Sequence, residues 1–518
     1  MISRAFKVSS IAAAALLAAC GGGGDSVSPT PTPTAPVSVA PSTEAALDAA
    51  KGFLAKLDVL RSSAPTSSSA YLTLNDGCYL ADGRSKAYIT ADFDADPLAV
   101  ASRQFEIGST HTAPQIVAER SRTNVDGSTR REIDIKYVIN YKDGTKNETA
   151  ENTIVSGSSS GAKLADASTC ATPESKTDWR FYGNRKVVET FVTAVNARTE
   201  SISLSTGLPL SPAVLYTKAI QFGVSDPANV ATYAIITGPG LGFGAYGIPN
   251  GTPGSFKLLS ARLLRSAPEL AGKGGNTVDL IDTDLFRFCL VAGTHLATAA
   301  EANCAGDGAG GSNGINSDNA PIVAVDFTDA SGGFVDYIFA ALYKNIKAGD
   351  VYTIQVYGDD GWKTVNGQAG KTPLSTYTST LAALPLSAAA LAGTGPTADL
   401  FARVTSSTKT PADIATAIRT KAAISTGLTW TAPGPMPDGR AVALLRVGVY
   451  ENGRASSTGA AWPASTKTDF SYPASVATAM TVNIPAPVAA LVVPTLAGTN
   501  LVYVNRNGNK FTSTYRYQ

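Results

Sequence analysis

Histidine is almost missing from this chain. Two occur in 518 residues, His111 and His295. Chemistry that depends on imidazole, whether proton transfer or metal ligation, has few places to be built. Charge is sparse as well. Asp, Glu, Lys and Arg make up 16% of the residues and the net charge is +1, against about a quarter charged in ordinary domains. That balance supplies neither a basic nucleic-acid surface nor an acidic tail. The apolar run at 8–17, interrupted by Ser9 and Ser10, follows Arg4 and Lys7. It is about half the roughly 20 residues a spanning helix needs, so it reads as a removed export signal.

What is abundant is Gly, Pro, Ser and Thr. Together with the low charge they suit turn-rich extracellular β domains and disfavour helical bundles. The length allows three or four domains of roughly 150 residues.

The signal ends in Leu17-Ala18-Ala19-Cys20. This resembles the lipobox of bacterial lipoproteins, which implies removal of residues 1–19 and a diacylglycerol on Cys20. A thiol is nucleophilic enough to carry a thioether, and several acyl chains hold a domain on a bilayer where one is marginal. The next residues are Gly21 to Gly24 rather than the aspartate that marks inner-membrane retention. By that resemblance the outer membrane is favoured, facing either the periplasm or the exterior. Residues 20–41 contain Pro29, Pro31, Pro33, Pro36 and Pro41 and form an extended tether of about 3 Å per residue.

The fold class expected is mainly β: an α+β cone-like domain at 42–200, then two antiparallel β-sandwich-like domains at 201–372 and 373–518. Ser42-Thr43-Glu44 is positioned to cap a first helix. Its apolar face is Ala46, Leu47, Ala50, Phe53, Leu54, Leu57 and Leu60. Short strands are expected at 71–74 and 86–89. Three alternating runs follow at 115–123, 130–141 and 147–156, joined by Asp126-Gly127 and Asp143-Gly144, a strong hairpin signal. A fourth strand at 179–184 and a fifth at 189–200 complete this unit. One helix and a curved meander resemble NTF2-like and cystatin-like folds, whose cone mouth can hold a ligand.

In the second unit Ile346 precedes Tyr352 by six, which resembles the tyrosine corner of fibronectin type III sandwiches. In the third, Thr410-Pro411-Ala412-Asp413 starts a short helix. Leu428-Thr429-Trp430-Thr431-Ala432-Pro433 resembles the fibronectin strand whose tryptophan fills the core. Strands are expected at 441–450, 481–484, 489–493, 501–505 and 510–517, with a turn at Glu451-Asn452-Gly453 and a hairpin at Asn507-Gly508.

Five cysteines become four once Cys20 is lipidated: Cys78, Cys170, Cys289 and Cys304. In an oxidising compartment three pairings are open. Cys78–Cys170 and Cys289–Cys304 are favoured because each falls within one unit. Their spacing is unlike the tight pairs of zinc or redox sites.

Catalytic motifs are weak. Gly-x-Ser-x-Gly occurs at Gly157-Ser158-Ser159-Ser160-Gly161 and at Gly310-Gly311-Ser312-Asn313-Gly314. Neither has the following helix that a nucleophile elbow requires. His111 is expected in a solvated loop, and His295 in a structural place beside the second disulfide. Asp92, Asp94 and Asp96 have the spacing that opens a calcium loop, but Pro97 and Arg103 stand where glycine and the closing acid belong. An exposed acidic turn is expected there. Asp279, Asp282 and Asp284 read as a solvated strand face. Trp430 is a core residue, while Trp362 and Trp462 are candidates for a carbohydrate platform.

No metal and no cofactor are implied. The function expected is that of a lipid-anchored envelope protein with a binding, adhesion or scaffold role. Its partners would be the membrane, through the anchor, and a glycan, peptidoglycan or another envelope protein. The alternative is a hydrolase of polysaccharide or peptide using an Asp/Glu pair, which need not be close in sequence.

Overall fold

A computed structural model describes residues 39–95, 106–142, 144, 146–241, 254–259, 287–290, 303–304, 315–316, 322–326, 346–358, 373–386, 400–420, 422–434, 442–454, 467–471, 477–484, 493–504 and 509–518. The chain is mainly β, built from antiparallel sheets with a small helical region near its start. Cys20 and the tether as far as residue 38, His295, the second Gly-x-Ser-x-Gly, Asp96, the 279–284 aspartates, Trp362, Trp462 and the Asn507-Gly508 hairpin lie outside the described residues.

The first unit contains α1 (Ala46–Ser62), α2 (Ser68–Tyr71), β1 (Leu80–Ala81), β2 (Arg84–Ser85), α3 (Lys86–Ala95), β3 (Thr110–Thr123), β4 (Thr129–Asn140), β5 (Lys146–Ser158) and β6 (Ser175–Gly183). Strands β3 to β6 form an antiparallel meander in chain order. Ile133, Ile135 and Tyr137 alternate on β4 and turn inward with Ile154, Trp179 and Phe181. They meet Ala50, Phe53, Leu54 and Leu57 of α1, whose helical spacing makes one buried stripe.

Four local expectations fail here. Residues 86–89 are helical rather than extended. The Ser85 hydroxyl accepts from the Tyr88 N–H at 3.1 Å, and Ile89 and Phe93, four apart, both face the core. Asp92 and Asp94, expected in an acidic turn, are therefore on α3, where Asp94 accepts from the Ser68 hydroxyl at 2.7 Å. Residues 71–74 leave α2 through a turn, not a strand. The Ser-Thr-Glu cap is not used, since α1 starts after Ala45 with no side-chain cap. Instead Glu44 accepts from the Trp179 indole N–H at 3.1 Å, and the Ser42 N–H donates to Ser156 Oγ at 2.9 Å.

The remaining strands are β7 (Glu189–Ile202), β8 (Pro209–Ser225), β9 (Tyr233–Gly238), β10 (Gly254–Leu259), β11 (Arg287–Leu290), β12 (Asn303–Cys304), β13 (Ile315–Asn316), β14 (Ile322–Asp326), β15 (Val351–Tyr357), β16 (Ser375–Thr380), β17 (Arg403–Ser407), β18 (Ile424–Thr431), β19 (Ala443–Arg454), β20 (Lys467–Ser471), β21 (Ala479–Ile484), β22 (Val493–Val504) and β23 (Asn509–Tyr517). The one helix described among them is α4 (Pro411–Arg419), which has a Thr410/Asp413 capping box.

An eight-stranded sheet runs β13-β14-β8-β7-β23-β22-β19-β20. It therefore includes β7, which was expected as the fifth strand of the first unit. It also joins strands from both later units. The joint is β23, antiparallel to β22 on one side and parallel to β7 on the other, in register from Asn509↔Ala194 to Tyr517↔Ile202. Two sheets cover its two halves. The sheet β12-β11-β10-β9-β15-β16 closes a core of Phe222, Val224, Ile236, Tyr352, Ile354 and Val356. The sheet β17-β18-β21 with α4 closes another, of Trp430, Leu444, Leu501, Tyr503, Phe511 and Ile418.

Trp430 is buried in that second core, its indole N–H donating to the Tyr503 hydroxyl at 2.8 Å. Tyr352 is buried against the Phe222 ring, but its hydroxyl has no hydrogen-bond partner among the described residues, so the corner bond is not made. Strand β19 continues through the expected turn at 451–453, absorbing it in an irregularity between Asn452 and Gly453. The strand expected at 501–505 begins earlier, as β22 from Val493, while 489–492, expected as part of a separate strand, lie outside the described residues.

The first unit is fastened to this body by polar contacts. The Val187 N–H donates to the Tyr377 hydroxyl at 2.9 Å, the Gly83 N–H to the Lys186 carbonyl at 2.9 Å, and Arg84 pairs with Glu189 at 3.1 Å.

Candidate functional site

The most developed side-chain cluster lies where α1 ends against the start of β3. Asp58 and Arg61 are three apart on α1 and so share a face. The Asp58 carboxylate accepts from the His111 backbone N–H at 2.9 Å and meets its Nδ1 at 2.6 Å. His111 is therefore a paired strand residue rather than a solvated loop residue, with a side chain 4% exposed. Burial holds its pKa below the ordinary value despite Asp58. A neutral ring whose Nδ1–H donates to Asp58 keeps Nε2 as its basic atom.

Beside it, Arg61 pairs with Glu106 at 3.2 Å and lies 4.0 Å over the Tyr71 ring, whose hydroxyl donates to the same carboxylate. Arg61 Nη1 is buried with no hydrogen-bond partner among the described residues. The Tyr137 ring lies 5.7 Å from the imidazole. This arrangement can orient a base and receive an acceptor group on Arg61. Among the described residues no hydroxyl or thiol bonds to His111, so no relay to a nucleophile is formed.

A second cluster surrounds the Cys78–Cys170 disulfide, whose Cα atoms are 5.5 Å apart. Asp76 is 2% exposed and accepts from the Cys78 N–H at 2.8 Å. Burial pushes its carboxyl up to about 6, with repulsion from Glu174 adding to the rise. Glu174 itself lies 3.7 Å from Lys86 and 3.5 Å from Arg180. Ser159, the central serine of the first Gly-x-Ser-x-Gly, is fully buried between them. Its hydroxyl accepts from the Glu174 N–H at 2.8 Å, and its N–H donates to the Glu174 carbonyl at 2.9 Å. It fastens two chain segments and is closed to substrate.

On the meander's other face, buried Glu132 is ringed by Arg130 at 2.7 Å, Arg120 at 3.3 Å and Arg122 at 3.7 Å. Arg120 also grips Asp134 with two bonds of 2.6 Å. These residues and the Asp58–Arg61–Glu106 group were not singled out from the sequence. The alternation of charge along β4 and the i,i+3 spacing on α1 are the signals that point to them.

The second predicted cysteine pair meets at backbone level, since Cys289 on β11 stands directly opposite Cys304 on β12. Among the described residues no group of three or more His, Cys, Asp or Glu is arranged to hold a metal ion. Among them, too, no helix is long and apolar enough to cross a membrane.

No protein-family model matches the chain, and no curated protein matches it. Solved structures give loose likenesses. One is a tetra-tandem repeat in the extending region of a large adhesion protein, 10% identical, covering 79% of this chain and 68% of the other, with a TM-score of 0.13. Another comes from work on host cell surface retention of a 1.5-MDa bacterial ice-binding adhesin, 10% identical, covering 75% and 90%, with a TM-score of 0.14. Superpositions this loose define no common fold.

Proposed function

We propose that this chain is a lipid-anchored envelope protein that carries a stiff β body away from the membrane for binding or adhesion, with no catalytic role. Cys20 is the attachment point and residues 20–41 are the spacer. The observation that carries the reading is the eight-stranded sheet shared by two sandwiches. A continuous backbone ladder resists bending between units, where an ordinary linker leaves them free to move. That suits a body meant to hold a surface at a distance. The partners that fit are a glycan, peptidoglycan or another envelope protein.

Protease added to intact cells tests the placement, comparing the native protein with Cys20→Ala. The expected result is cell-associated native protein and released mutant. Retention of the mutant overturns the anchor. Cleavage without lysis assigns the outer surface, and protection until the outer membrane is opened assigns the periplasm. Binding of the purified chain to peptidoglycan and glycan arrays tests the role, and no binding to either counts against it.

A further inference from the structure

Along the inner face of β7 the side chains read Val192, Ala194, Asn196, Arg198, Glu200 and Ile202. The apolar ends belong to the two cores, and the polar middle lies where the two sandwiches meet. Arg198 is 6% exposed. Its Nη2 donates to Glu200 at 3.1 Å, while Nε and Nη1 are buried without a hydrogen-bond partner among the described residues. Directly beside it in the parallel register is Ser513 of β23, 1% exposed, whose Oγ also has no hydrogen-bond partner among the described residues. The neighbouring Tyr515 hydroxyl already accepts from the Val404 N–H at 2.7 Å, so it too has a proton to give.

We infer that this seam seats a small anion of the halide or carboxylate class on Arg198 and Ser513. The guanidinium offers three N–H groups here and the serine one O–H, all withdrawn from water. Buried donors left unmade are costly, and more so when charged. A water molecule brings two hydrogens of its own that need acceptors, whereas Nε and Nη1 of Arg198 can only donate. An anion accepts from all of them and donates nothing. It also offsets the charge of a guanidinium whose ion-pair partner, Glu200, has a side chain 30% exposed. The ion would then be a pin holding β23 to β7.

The full chain is crystallised and soaked in sodium bromide. An anomalous peak within hydrogen-bond distance of Arg198 and Ser513 Oγ is expected, and water alone at that spot overturns the inference. In solution, melting is followed in formate against an equal concentration of a bulky organic anion. A rise of roughly 5–10 °C is expected near a hundredfold excess over Kd. Ser513→Ala, a small change that leaves the core packing in place, should lose most of that rise, and Arg198→Lys should weaken it. An equal rise in native protein and Ser513→Ala overturns the inference as well.

Discussion

Replacing Phe511 by alanine tests whether the two sandwiches are one mechanical unit. The ring is 1% exposed and lies in the third unit's core, 6.0 Å from Phe401. Its backbone is paired with Asn196 on one side and Tyr503 on the other. Truncation of a buried phenylalanine costs about 3–5 kcal/mol through lost transfer energy and the cavity left behind. If β23 holds both halves of the sheet, that cost is felt in β7 as well as in β22. Amide exchange in 189–202 should then speed up by roughly two to three and a half orders of magnitude, at 1.4 kcal/mol per tenfold. The control is Phe53→Ala, equally buried but in the first unit's core, which should leave 509–517 protected. Hydrogen exchange read by mass spectrometry on peptides from each strand is the assay. Faster exchange confined to 493–517 would refute the shared-sheet reasoning.

Other outcomes follow from the first unit. Cys78→Ser should cost about 4–5 kcal/mol in urea unfolding, because the bridge closes a separation of 92 residues. Asp76, with a folded pKa of about 6 against 3.8 unfolded, binds its proton more tightly in the native state. Its contribution is present below about pH 4 and lost as pH rises through 6, so Asp76→Asn should gain about 2–3 kcal/mol at pH 7.5 and little at pH 4. His111 acts in the opposite sense. Its folded pKa is lowered, so the unfolded chain takes up the proton first and stability falls as pH drops below about 6.5. His111→Gln should flatten that limb of the melting-versus-pH curve. Gly183 has φ +85° and a Cβ there would stand 1.9 Å from the Leu80 carbonyl oxygen. Gly183→Ala should therefore destabilise by well over about 1 kcal/mol in thermal unfolding.

Local pattern carried the sequence reading a long way. The Asp-Gly between β3 and β4 turns the chain where alternation on either side requires it, with Gly127 at φ +79°. The Thr410–Asp413 box starts α4 as its chemistry demands. The failures are of two kinds. At 86–95 the run Tyr88-Ile89-Thr90 has strand propensity, and inward packing of Ile89 and Phe93 overrides it. At 189–202 the strand was legible but its neighbours were not. Its period of two says which residues face inward and nothing about which distant strand lies beside it. The His111–Asp58 pair escaped for the same reason, because 53 positions separate partners that only the packing of α1 on β3 brings together.

The parallel pairing of β23 with β7 also sets an order of assembly. Asn196 and Asn509 touch across 313 positions of sequence. Synthesis at about 5–20 residues per second leaves roughly 15–60 s between the two strands. Throughout that interval β7 has β8 on one side and an open row of amides and carbonyls on the other, a template for any passing strand. The first unit, whose sheet is complete by Gly183, can fold without waiting. The body cannot. Shielding of that one strand edge until β23 arrives is therefore expected to raise the yield of folded protein.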